Sequence, residues 1–190
     1  MGKMKTKLLL ILGVLVIVVV AMVGPVTAAN TGSTTITGNP GATIAIVVTG
    51  SITDWPLVLN SNVDSTNVTL DVLSNQPGWT VKVSDELDGG KLPASVGKMA
   101  NWTTVTWGDS GYLATALNVG AASVTSHATG ASVNLNGGGQ TIETGNSDAS
   151  GAGTFNGIHI TNTQQILSSD PVLTAPNVYR IIVTFTGGLS

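Results

Sequence analysis

Hydrophobic and polar residues alternate along most of the chain. Between Asn67 and Leu73, the side chains of Val68, Leu70 and Val72 share one face and those of Thr69 and Asp71 take the other. Trp79 to Ser84 repeats the pattern, with Trp79, Val81 and Val83 set against Thr80, Lys82 and Ser84. The last run is the clearest: Tyr179, Ile181, Val183 and Phe185 alternate with Arg180, Ile182, Thr184 and Thr186. A side-chain period of two belongs to a pleated strand that is dry on one face, and the abundance of β-branched residues agrees. The same reading places strands at 34–37, 43–49, 52–59, 101–107, 112–119, 132–135, 140–144 and 155–167. Pro56 demotes its segment to an edge or a bend. Gly38-Asn39-Pro40-Gly41 and Asn75-Gln76-Pro77-Gly78 are turn sequences, and the second predicts a hairpin of the two strands it joins. Segments 84–97, 146–153 and 170–176 read as loops.

No segment after the N-terminus carries the 3.6-residue period of an amphipathic helix, which removes parallel α/β architectures. No fixed repeat supports a parallel β-helix. About nine to eleven short strands joined by Gly, Asn and Pro turns imply an all-β fold, a single antiparallel β-sandwich of immunoglobulin-like or jelly-roll-like kind. The sandwich is expected to occupy residues 30–190.

The N-terminus breaks the alternation. Lys3, Lys5 and Lys7 precede an apolar run from Leu8 to Val23, then Gly24-Pro25 and the small residues Thr27, Ala28 and Ala29. A basic start, an apolar helix and a small-residue cleavage site make up a secretory signal peptide over residues 1–29. Cleavage after Ala28 or Ala29 would release the rest. Left uncleaved, the 16 apolar residues would serve as a short membrane anchor. Either way the following domain is expected outside the cell, touching the membrane only through this segment.

Composition narrows the chemistry. Of 190 residues, 42% are hydrophobic but only 9% are charged, against a norm of about 25%. Three of the seven basic residues lie in the leader, so residues 30–190 hold four basic and ten acidic residues, a net charge of −6. An acidic, charge-poor domain offers no electrostatic footprint for nucleic acid. The absence of cysteine removes disulfides, thiolate metal sites and cysteine nucleophiles.

Few residues suggest a site. Gly108-Asp109-Ser110-Gly111 resembles the nucleophile motif of chymotrypsin-type proteases, but both histidines, His127 and His159, follow the serine, and Tyr112 stands where that family has a glycine. The motif reads as a turn between strands, and no catalytic residue is assigned. Asp85, Glu86 and Asp88, before Gly89-Gly90, form the densest acidic cluster, and oxygen ligands on a flexible loop suit calcium. Their spacing is not that of an EF-hand, and a solvated acidic turn is the plainer reading. Calcium is the only cofactor that the sequence suggests. Trp55, Trp102 and Trp107 are candidates for stacking on sugar rings or anchoring a partner, since Trp79 alternates with core valines. On a single strand Trp102 and Trp107 would have opposite parity, leaving one outward. Asn67-Val68-Thr69 and Asn101-Trp102-Thr103 are N-glycosylation sequons.

Taken together, the segments Ile52-Thr53-Asp54-Trp55-Pro56-Leu57, Gly78-Trp79-Thr80-Val81, Gly97-Lys98-Met99, Gln140-Thr141-Ile142 and the closing Tyr179 to Thr186 run follow a pattern. It resembles that of small secreted β-sandwich proteins of prokaryotic, especially archaeal, cell surfaces. It is also similar to the WxL-type surface domain, although Phe185 stands where the name-giving tryptophan would fall. The resemblance implies a non-enzymatic structural or adhesive role and carries over no site residues. The expected function is a secreted cell-surface protein, with self-association into a layer, extracellular matrix fibre or filament, or with other surface proteins as partners. The alternative is a module binding cell-wall polymers or glycans through exposed tryptophans. A filament could use strand addition by the uncharged segment 30–49, whose apolar positions are Ile44, Ile46 and Val48.

Overall fold

A computed structural model describes residues 41–85 and 90–190. The signal segment and the strand expected at 34–37 lie outside the described residues. The described chain is all β, apart from two short 3₁₀ turns at Pro93–Ser95 and Ala149–Gly151. No helix among these residues is long and apolar enough to cross a membrane.

The strands, in order, are β1 (Ile44–Thr49), β2 (Asn60–Asp64), β3 (Thr69–Ser74), β4 (Trp79–Asp85), β5 (Ala100–Trp102), β6 (Trp107–Tyr112) and β7 (Asn118–Ala121). They continue with β8 (Ala128–Gly130), β9 (Ser132–Asn134), β10 (Gln140–Gly145), β11 (Gly153–Ile166), β12 (Val178–Arg180) and β13 (Val183–Leu189). One sheet has the order β1-β3-β11-β7-β9, with β2 also on β11. A second has the order β13-β4-β10-β8, and β12-β5-β6 form a small third sheet. All strand pairs are antiparallel. The 14-residue β11 is the spine of the first sheet. One edge of it pairs first with β3 and then with β2, and the other pairs with β7.

The core lies between the two larger sheets. Val68, Leu70, Val72, Val119, Phe155, Ile158 and Ile160 from one meet Trp79, Val81, Val83 and Ile142 from the other. Trp79 is at its centre, fully buried, with its indole Nε1 donating to the Gly151 carbonyl at 2.6 Å. Gly145 lies directly against the indole, where a β-carbon would come within 2.4 Å of Nε1. Glycine there lets β10 approach the ring.

Several expectations need correction. The turn at Asn75–Gly78 does not close a hairpin, because β3 and β4 belong to different sheets. Two alternating strands with dry faces satisfy burial equally by pairing side by side or by stacking face to face, and here they stack. The segment 101–107 is two strands, β5 and β6, joined by a tight turn in which the Thr103 N–H donates to the Thr106 carbonyl at 2.9 Å. Trp102 and Trp107 are therefore direct cross-strand partners on one face. The Gly108-Asp109-Ser110-Gly111 motif lies within β6 rather than in a turn. The closing run is broken at Ile181-Ile182, with β12 pairing to β5 and β13 to β4, so the chain changes sheets there.

The 52–59 segment forms no strand. The Asn62 side chain occupies both backbone groups of Val58, accepting from its N–H at 2.8 Å and donating to its carbonyl at 2.7 Å. This local bonding competes with a ladder, and the strand begins only at Asn60.

Candidate functional site

The sequence-derived candidates fall in separate places. Asp85 ends β4 and is buried. Its Oδ2 accepts from Lys91 Nζ at 2.6 Å and from the Gly97 N–H at 2.7 Å. Burial lowers the Lys91 pKa, and the adjacent Asp85 charge opposes that shift. The carboxylate thus anchors the Lys91–Gly97 loop to the core. Glu86 and Asp88 lie outside the described residues. Among the described residues no group of three or more His, Asp or Glu side chains is placed to hold a metal ion.

Asn67 is exposed in the turn before β3, where its amide donates to Asp64. Asn101 lies on β5, half-buried, and donates to the Ser110 carbonyl at 3.2 Å. A β-carbon at Gly108 would come within 2.5 Å of its Nδ2, so this amide is packed against β6.

Trp102 and Trp107 meet edge to face, with centroids 5.2 Å apart and planes at 73°. The Arg180 guanidinium lies 4.2 Å from the Trp102 centroid and 5.8 Å from that of Trp107. Trp107 is buried and its indole N–H has no partner among the described residues. The small third sheet is therefore held by an aromatic and cation–π cluster, and its rings are not coplanar. His127 packs on Phe155 at 5.6 Å with its Nδ1 2.7 Å from the Ser150 carbonyl, while His159 is exposed on β11.

Trp55 leads to a cavity. It is half-buried against the core and lines a cleft of about 1080 Å³. Sequence reasoning did not locate this cleft. The cause lies in how the sandwich closes. β1 ends the first sheet and β13 ends the second, so the two edge strands lie on the same side of the core. At one end they touch: Gly187 has no side chain, and Ile44 and Ile46 lie within 3.1–3.2 Å of where its β-carbon would be. Toward Val48 on β1 and Val183 and Phe185 on β13 the edges part, and the cleft opens between them. Leu113, Leu117 and Ile166 add to its apolar lining.

Two polar side chains line this cleft without a hydrogen bond or ion pair to a described residue. Asn162 is only 6% exposed and lines the cleft from β11, and its carboxamide makes no hydrogen bond to a described residue. Arg180 stacks on Trp102 but has no carboxylate partner among the described residues. Other polar groups of the rim are engaged. Asp170 accepts from the Ala114 and Leu167 N–H groups, each at 2.7 Å, and the Tyr179 hydroxyl donates to the Pro171 carbonyl.

Elsewhere, Glu143 is an isolated buried acid. It follows the bulge in β10, is 1% exposed, and neither carboxyl oxygen has a hydrogen-bond partner among the described residues. Burial pushes its pKa up to about 7.

Comparison of the chain with protein-family models, with curated proteins and with solved structures finds no match.

Proposed function

We propose that this chain is a non-enzymatic, exported cell-surface protein with a structural or adhesive role, which associates with copies of itself through its open strand edges. The observation that carries this reading is β1. Its sequence Ile-Ala-Ile-Val-Val-Thr has one edge paired to β3 and no strand partner on the other among the described residues. It contains no charge and no proline, and its ladder with β3 is free of bulges. Soluble β proteins commonly guard such edges with one of these devices, because an open edge pairs readily with another chain. Val47 on this strand is 57% exposed. The second edge, β13, is also free of charge and proline. The leader-like N-terminus and the scarcity of ionisable groups support the same reading.

The test is negative-stain microscopy of residues 30–190, with and without millimolar calcium. Regular fibres or sheets are expected, and Val47→Lys should abolish them while leaving the circular dichroism spectrum unchanged. Dispersed monomers in both conditions would overturn self-association and favour the glycan-binding module instead. A dependence on calcium would bring the Asp85–Asp88 loop into the assembly.

A further inference from the structure

We propose that the cleft beside Trp55 is the receptor for an extended strand donated by a second copy of this chain, the segment from Asn30 to Pro40. This rests on the self-association reading and specifies its contact. Three observations point to a strand as occupant. First, the backbone along the cleft wall lacks partners: Ile52, Thr53 and Asp54 belong to no ladder and make no backbone hydrogen bond to a described residue. An added strand supplies the missing donors and acceptors. Second, Asn162 lines the cleft from β11 without a hydrogen bond to a described residue, and a peptide backbone or a threonine hydroxyl can meet both its donor and its acceptor. Third, about 1080 Å³ lies at the upper limit of what a small molecule fills, whereas a strand fills it with alternate side chains.

The donor follows from what remains of the chain. β1 pairs with β3 along its whole length, so Ile44–Thr49 is not available to a neighbour's cleft as a free strand. The preceding Asn30 to Pro40 has eleven residues and no charge, and it would reach about 36 Å when extended. No charged side chain would be buried with it, and Ile36 supplies an apolar anchor among β-branched threonines. The self-association reading assigns the segment to a neighbouring molecule. The Asn75 side chain holds the start of the described chain, accepting from the Thr43 N–H and donating to the Gly41 carbonyl, each at 2.8 Å. That anchor is at the closed end, near Ile44, while the cleft opens toward Val48. A segment docking in its own cleft would reverse at the turn sequence Gly38-Asn39-Pro40-Gly41 and run back along β1. A neighbour's segment needs no such reversal, and the double variants below separate the two arrangements.

The chain has no cysteine, so engineered thiols report contacts directly. Mature chains carrying Ile36→Cys alone would be mixed with chains carrying Thr53→Cys alone or Val48→Cys alone, and oxidised. The expected result is a disulfide heterodimer from at least one mixture. The corresponding double variants should give a ladder of oligomers on a non-reducing gel. Closure of the double variants into fast-migrating monomers would show that the segment fills its own cleft, and would overturn the proposal. Fibres that form without any disulfide would also overturn it, while leaving self-association through the edges intact. Absence of both fibres and disulfides would remove both readings.

Discussion

Two regions of the molecule have the same sequence pattern and different fates. Trp79, Val81 and Val83 on β4 alternate with polar residues and are completely buried. Ile181, Val183 and Phe185, in the closing run, alternate just as regularly, yet they are only half-buried. β4 is an interior strand, flanked by β13 and β10, whereas β13 has a neighbour on one side only among the described strands. Alternation therefore tells which side chains face the core. Burial depth depends on the strand's place in the sheet, and the half-buried edge borders the open cleft.

The largest contrast should come from the buried ring. Trp79→Ala is expected to cost about 3–5 kcal/mol in urea unfolding, through lost burial and the cavity left behind. A cost below about 1 kcal/mol would mean that the ring does not support the core.

Next comes the buried carboxyl of Glu143, on the interior strand β10. Below its ordinary pKa of 4.5 it is protonated in both folded and unfolded chains and has no effect on their balance. Between pH 4.5 and about 7 only the unfolded chain releases the proton, so stability falls as pH rises. Above about 7 the folded carboxyl ionises as well and the loss levels off. The expected decline is on the order of 3 kcal/mol. Glu143→Gln should flatten it, as read from denaturation midpoints at pH 4.5 and 8. A slope unchanged in the variant would assign the pH dependence to other groups.

The edge should respond more weakly. Phe185→Ala on β13 is expected to cost about 1–2 kcal/mol, because much of its surface already meets water. A loss as large as that of Trp79→Ala would mean that the edge is covered in solution, and comparison at two protein concentrations would then show whether a second copy covers it. The smallest effect on folding belongs to Val47→Lys, whose stability should stay within about 0.5 kcal/mol of the parent. Its consequence should be confined to assembly.

Much of the architecture was legible in the chain. The alternation of Val68, Leu70 and Val72 and of Trp79, Val81 and Val83 identified core faces correctly, and the long central strand of the first sheet was visible at 155–167. The pairings were not legible, because a period of two does not specify which strand lies beside which. The turn at Asn75–Gly78 carries hairpin residues, yet it links the two layers. The change of sheet at Ile181-Ile182 interrupts an apolar run that has no Gly or Pro to mark the break. Thr103–Thr106 makes a turn from residues that favour strands, so Trp102 and Trp107 seemed to face apart when they face together.

The candidate site was less legible still. Trp55-Pro56-Leu57 was conspicuous, but the cleft beside it arises from two edge strands that are far apart in sequence and diverge from one end to the other. Asn162 gave no signal, since an asparagine in an alternating strand can point to either face. Glu143 was equally silent: an acid among threonines is ordinary on a wet face, and the bulge in β10 turns it inward.

The sequence by itself determined that the domain is all β, which faces its clearest strands bury, and how few charges it carries, because these depend on local period and composition. Tertiary structure alone decided which strands became edges, where the sheets part, and which polar groups were left inside without partners. Those properties depend on contacts between residues distant in the chain, and local alternation carries no information about such contacts.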